Sequence, residues 1–151
     1  MNPIRFGLLT VALLLVSGIA QAAEGMIAVK SSHSVADTAD RLEAVLKDKG
    51  MKIVARVNHA AAAASVDLEL RPTELVIFGN PKVGTPLMQC TQSVALDLPQ
   101  KALIWEDAEG QVWLGYNDPQ YLRQRHDIEG CDEVLTKVSG ALKNFAGAAV
   151  Q

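Results

Sequence analysis

The sequence predicts an α+β domain: a single mixed, largely antiparallel sheet covered on one face by two long helices. Strand-length and helix-length patterns alternate through the first half of the chain. A pair of strands with a short glycine-containing loop between them then reads as a hairpin, and two amphipathic stretches are long enough to cover a sheet. Met26–Lys30 is a short apolar run. Ser34 opens the first helix as N-cap, with Asp37 three residues on in a capping-box-like pair, and Val35, Ala36, Ala39, Leu42, Val45 and Leu46 recur at helical spacing up to Gly50, where a C-cap glycine belongs. Lys52–Asn58 alternates as a half-buried strand, with Ile53, Ala55 and Val57 expected on one face.

Ala60–Ala64 has the composition of one or two helical turns packed closely against a neighbour. Glu69–Arg71 starts a short extended segment that Pro72 interrupts, and Glu74–Phe78 is a strand ended by Gly79-Asn80-Pro81. Thr85 as N-cap and Pro86 at the first helical position start the next helix. Lys101–Glu106 and Val112–Tyr116 form the hairpin around Asp107-Ala108-Glu109-Gly110. Asp118-Pro119 starts a short helix through Arg125, Glu129-Gly130 breaks it, and Val134, Leu135, Val138, Leu142 and Phe145 mark the last amphipathic helix.

A chain of 151 residues that is 49% hydrophobic, 21% charged and 5% aromatic, with a net charge of −3, is one globular domain; disorder, collagen and coiled coil are excluded. An isoelectric point near 5.6 argues against a nucleic-acid partner, which calls for clustered Lys and Arg. Arg5, the apolar run Phe6–Ile19 and the small-residue motif Ala20-Gln21-Ala22 read as a signal peptide over residues 1–22, leaving residues 23–151 as the exported domain. As a helix, Phe6–Ile19 rises about 21 Å against roughly 30 Å of hydrocarbon, too short for a permanent membrane anchor. The expected location is periplasmic or secreted. Cys90 and Cys131 are the only cysteines, so a disulfide between them is the default expectation after export.

Two blocks of the chain carry a family resemblance. One is Asn58-His59-Ala60 followed by Leu70-Arg71-Pro72-Thr73-Glu74-Leu75-Val76-Ile77-Phe78-Gly79-Asn80-Pro81-Lys82-Val83-Gly84-Thr85-Pro86-Leu87-Met88. The other is Leu96-Asp97-Leu98-Pro99-Gln100-Lys101-Ala102-Leu103-Ile104-Trp105-Glu106-Asp107, with Val112-Trp113-Leu114-Gly115-Tyr116-Asn117-Asp118-Pro119 and Arg125-His126 after it. Over residues 26–126 the chain resembles the domain of unknown function 302 family. The resemblance implies a small α+β fold, often seen as a homodimer, and no established activity. Neither cysteine belongs to the matching motifs.

Candidate chemistry centres on Gly79–Pro86. Asn80, Lys82, Gly84 and Thr85 stand before the expected helix start, where free N–H groups and the helix dipole favour a small anionic ligand. The glycine spacing and the order of Lys and Thr exclude a Walker loop. Of the three histidines, His59 is the candidate pocket-lining residue at the end of a strand, and His126 reads as a surface or capping residue. No pair of histidines has ligand spacing, so no metal is expected, and no cofactor motif is present. Glu106 and Asp107 are adjacent on a strand and point to opposite faces, which makes them a poor catalytic pair. None of the serines lies in a Gly-x-Ser-x-Gly elbow, so no hydrolase triad is legible. Bulky apolar groups fall on both faces of the hairpin, with Val112, Leu114 and Tyr116 opposite Trp113, which favours a second copy or a ligand on the second face. The first functional expectation is an exported small-molecule or anion binding or accessory module. The alternative is a metal-dependent or acid–base enzyme using His59 or His33 with Lys82 and Glu106.

Overall fold

The computed structural model describes residues 23–151; the expected signal peptide lies outside the described residues. The elements are β1 (Met26–Ser31), α1 (Val35–Asp48), β2 (Lys52–Asn58), α2 (His59–Ala64), β3 (Thr73–Gly79), α3 (Pro81–Cys90), a 3₁₀ helix (Gln92–Leu96), β4 (Gln100–Glu106), β5 (Val112–Asn117), α4 (Pro119–His126) and α5 (Asp132–Val150). The α+β class and the single sheet are as expected, with strand order β1-β5-β4-β3-β2. All four pairings are antiparallel, so the sheet is not mixed. The unit β1-α1-β2 does create two strands running the same way, but they occupy opposite edges of the sheet. β3, β4 and β5 fill the space between them, and the parallel pair never meets.

The long helices α1 and α5 lie together on one face. Leu42 and Leu46 of α1 and Leu135 and Leu142 of α5 are buried with Val76, Phe78, Ile104 and Leu114 of the sheet, and Phe145 meets Phe78 edge-on at 6.5 Å between ring centroids. α1 is tied at both ends. The Ser34 hydroxyl accepts from the Asp37 N–H and donates to the Asp37 carboxylate, and buried Thr38 shares a 2.7 Å hydrogen bond with Ser31 of β1. At the other end Gly50, at φ +70°, lets Gly50 N–H reach Lys47 O and Met51 N–H reach Leu46 O, the two bonds of a Schellman motif.

Three local expectations are corrected. A bulge between Ile53 and Ala55 switches the faces of β2: Ile53 pairs with Phe78 on the helix side, whereas Ala55 and Val57 pair with Ile77 and Leu75 on the other. Arg56 is thereby turned toward α1. It donates to Glu74 and Asp40, and these carboxylates, Glu74 foremost, raise its pKa and keep it charged. Second, α2 forms from Ala60–Ala64 but buries no residue, since helix propensity and the Asn58 N-cap suffice for six residues. Third, Glu69–Arg71 forms no strand.

The start of α3 is also corrected. Two pairs in the sequence fit an N-cap followed by proline, Asn80-Pro81 and Thr85-Pro86, and the chain uses the first because β3 ends at Gly79. Thr85 is therefore inside the helix. Pro86, with no N–H, leaves Lys82 O without its helical donor.

The opposite face of the sheet presents Val57, Leu75, Ile77, Leu103, Trp105 and Trp113, with the two indoles stacked at 6.4 Å. Trp113 donates its indole N–H to Asp107 at 2.7 Å, and the same carboxylate accepts from Gln111 and Glu109 N–H to close the hairpin.

The expected disulfide is present, joining the last residue of α3 to the residue that precedes α5, with Cα atoms 6.5 Å apart. Bridging 41 positions of sequence limits the unfolded chain by at most about 4 kcal/mol. Reduction should lower the denaturant midpoint by a stability loss of up to that size, read by urea titration with and without reductant; coincident titrations would show the bridge to be without effect. The hydrogen bond from Trp113, then those from Gln111 and Glu109, hold the Asp107 pKa below its ordinary value. A depressed carboxylate pKa gives stability that is present above the ordinary Asp range and lost as pH falls through the folded value. Hairpin hydrogen-exchange protection should therefore fall on acidification in the parent protein and depend less on pH in Asp107→Asn.

Candidate functional site

A cleft of about 510 Å³ opens between α3 and α5, floored by the ends of β3 and β4. It follows from weak packing of α3. That helix buries only Leu87, contains Gly84 and Pro86, and is fastened at its far end by Cys90. Opposite it, Val138, Ala141, Leu142 and Phe145 of α5 present an apolar wall. Met51, Val54, Met88 and Leu98 add to the apolar lining, and the polar lining residues are Lys52, Asn80, Thr85, Gln100 and Lys137. A concavity of this size, apolar with a few polar groups, is what small-molecule sites are made of. Val54, in the β2 bulge, is 54% exposed at the rim of the cleft.

Asn80, Gly84 and Thr85 thus line a concavity, and Lys82 does not. The anion cradle expected at the helix start is absent. Pro81 has no N–H, Lys82 N–H is taken by the Asn80 side chain, and Val83 and Gly84 N–H both go to Asn80 O. No donor of the first turn is left for an anion.

The alternative set of residues does not assemble. His59 begins α2 beside the Asn58–Glu74 pair, and Glu106 lies beside the start of β3, its N–H bonded to Pro72 O. His33 follows β1 at that same end, its Nε2 2.8 Å from Gln151 O. Lys82 lies past the opposite end of β3, about 20 Å away along a seven-residue strand. Glu106 and Asp107 diverge as expected: Asp107 binds Trp113, while Glu106 lines a smaller recess with Glu74. No group of three or more His, Cys, Asp or Glu among the described residues is placed to hold a metal ion.

His59, expected to line a pocket, lines neither the cleft nor the smaller recess, and His126, expected at the surface, is largely enclosed. Its side chain is only 5% exposed; Nε2 lies 2.5 Å from Asp97 Oδ2 and Nδ1 3.1 Å from Ser93 Oγ. The three residues come from α4, the 3₁₀ helix and the loop after it, and no short motif joins them. The cleft walls on α5 were legible only as core positions, because periodicity says which side chains face inward and not whether a neighbour fills the space.

Residues 27–145 match the family described as domain of unknown function DUF302, a match that runs beyond the sequence blocks above and takes in most of α5. Among curated proteins, fluoride-specific ion channel FluC 1 of Brucella suis biovar 1 (strain 1330) is 50% identical over 113 residues, covering 75% of this chain and 44% of that protein. Fluoride-specific ion channel FluC 2 of Brucella melitensis biotype 1 gives the same identity and length, with 42% of that protein covered. The chain spans less than half the length of these relatives. No helix of the described residues is long and apolar enough to cross a membrane. The crystal structure of an uncharacterized conserved DUF302 protein from Bacillus stearothermophilus matches with a TM-score of 0.71 at 19% identity, covering 85% of this chain and 97% of that one, a likeness of fold. Matched over most of its length, the chain belongs to the DUF302 family.

Proposed function

We propose that this domain is an exported binding or accessory module that holds a small apolar or amphipathic molecule in the cleft between α3 and α5. The observation that carries the reading is the cleft itself, about 510 Å³ and walled by apolar side chains of two helices that a disulfide joins at one end. Lys52 among its lining residues suits a ligand with an anionic head and an apolar body, in place of the bare anion suggested by the glycine-rich segment alone, while Lys137 is paired with Glu133 at 2.7 Å. Export rests on the signal-like pattern of residues 1–22 and is supported by the Cys90–Cys131 bridge, a bond that persists in oxidising compartments. The accessory role is supported by the curated relatives. They are named as channels, the matching domain is under half their length, and it contains no helix fit to span a bilayer among the residues described here. Pairing with a second copy through the uncovered face around Trp105 and Leu103 belongs to the same proposal.

The amphipathic anion 8-anilinonaphthalene-1-sulfonate is a direct probe. Its fluorescence should rise saturably on the folded protein, and Ala141→Trp, which fills the cleft from α5, should weaken binding about tenfold or more. Lys82→Ala should leave the affinity unchanged. Gly84→Ala places its Cβ 3.7 Å from Leu98 Cδ1, an ordinary contact, and should raise helix stability by up to about 1 kcal/mol. Binding indifferent to Ala141→Trp, or lost in Lys82→Ala, would contradict the reading. Sedimentation equilibrium tests the pairing: Trp105→Lys should turn a dimer into a monomer, and a monomeric parent protein would refute it.

A further inference from the structure

We propose that Ser93, His126 and Asp97 form a hydrolytic site for small esters, separate from the cleft. None of the three lines the cleft. The arrangement is directional: Asp97 Oδ2 lies 2.5 Å from His126 Nε2, and Ser93 Oγ lies 3.1 Å from Nδ1. A neutral imidazole that donates its Nε2 hydrogen to the carboxylate has its free lone pair on Nδ1, facing the serine hydroxyl. His126 is thereby held as an acceptor for the Ser93 proton, the relation an activated nucleophile requires. The Arg125 guanidinium, with Nε 3.4 Å from the same Asp97 oxygen, adds a cationic neighbour to that carboxylate.

Accessibility divides the three residues as catalysis needs. His126 and Asp97 have side chains 5% and 13% exposed, whereas Ser93 is exposed to substrate. Ser93 and Leu96 stand three apart on a 3₁₀ helix, where side chains at that spacing eclipse. Leu96, 73% exposed, therefore lies on the same edge as the nucleophile and gives an apolar acyl or alkyl group a surface to rest on. The ester class follows: small and carrying a short apolar chain.

In the first half-reaction Ser93 Oγ bonds to the ester carbonyl carbon as its proton passes to His126 Nδ1. That proton then goes to the departing alkoxide as the carbon–oxygen bond breaks, leaving an acyl-serine and a free alcohol. Water then adds to the acyl carbon, giving its proton to Nδ1. Collapse returns the proton to Ser93 Oγ and releases the carboxylic acid. Asp97 is a positioning residue that acts through the imidazole.

A fluorophosphonate serine probe and 4-nitrophenyl butyrate, applied to the folded full chain with its disulfide intact, test the site. Intact mass and peptide mapping should place one probe adduct on Ser93. Butyrate ester turnover should fall about 100-fold in Ser93→Ala, an exposed change expected to leave the melting temperature unaltered. His126→Gln should abolish labelling. Asp97→Asn should lose most of it and Asp97→Glu recover it, a rescue that a role in folding alone would not produce while the melting temperatures of the two variants agree. Absence of a Ser93 adduct on the folded parent protein, or ester turnover unchanged in Ser93→Ala, would overturn the proposal.

Discussion

The fold depends on α5 being held across one face of the sheet at both of its ends. At its N-terminus the Cys131–Cys90 bridge and the Arg123–Asp132 ion pair fix it to α3 and α4. At its C-terminus Ser32 donates to Val150 O, Arg41 donates to the carbonyls of Ala149 and Gln151, and His33 Nε2 meets Gln151 O. Between these anchors Leu135, Val138, Leu142, Phe145, Ala146 and Ala149 are buried, so the helix seals the core that α1 began. Truncating one such leucine to alanine costs about 2–5 kcal/mol, a large part of a small domain's stability. Apart from the disulfide, each anchor is modest beside that.

The cleft is the consequence of where that sealing stops. At the ends of β3 and β4, α3 faces α5 and leaves a cleft between them. Pro86 interrupts the hydrogen bonding of α3 and Gly84 gives it no side chain, so one buried residue, Leu87, does the work several share in α1. The apolar side chains that line the opening between α3 and α5 are the surface a ligand filling it would cover. The disulfide limits how far the two walls can separate.

Much of the frame could be read from residues. Ser34 and Gly50 bound α1, the spacing of its leucines gave its buried face, and the strands of the hairpin were placed within a residue. What could not be read has physical causes. The β2 bulge inverts a face without any glycine or proline to signal it. Two equally good Asn/Thr-Pro pairs compete for the start of α3, and only the end of the preceding strand decides between them. The mixed-sheet expectation rested on strands alternating with helices before a hairpin, whereas adjacency is settled by three strands that come later in the chain. At the site, Asn80, Gly84 and Thr85 were singled out for an anion and instead line an apolar cleft, because the Asn80 cap consumes the donors. The Ser93–His126–Asp97 cluster is invisible in sequence, since its members are 29 and 33 residues from the histidine.

The account stands most directly on whether the α3–α5 cleft is occupied by an amphipathic ligand. Backbone amide NMR of the ¹⁵N-labelled protein, titrated with 8-anilinonaphthalene-1-sulfonate, reads this residue by residue. The account predicts saturable shifts concentrated at Val83–Met88 and Val138–Phe145, with Trp105 and Trp113 on the far face of the sheet unmoved. Shifts centred on the tryptophan face, or none in α3 and α5 at saturation, would contradict it.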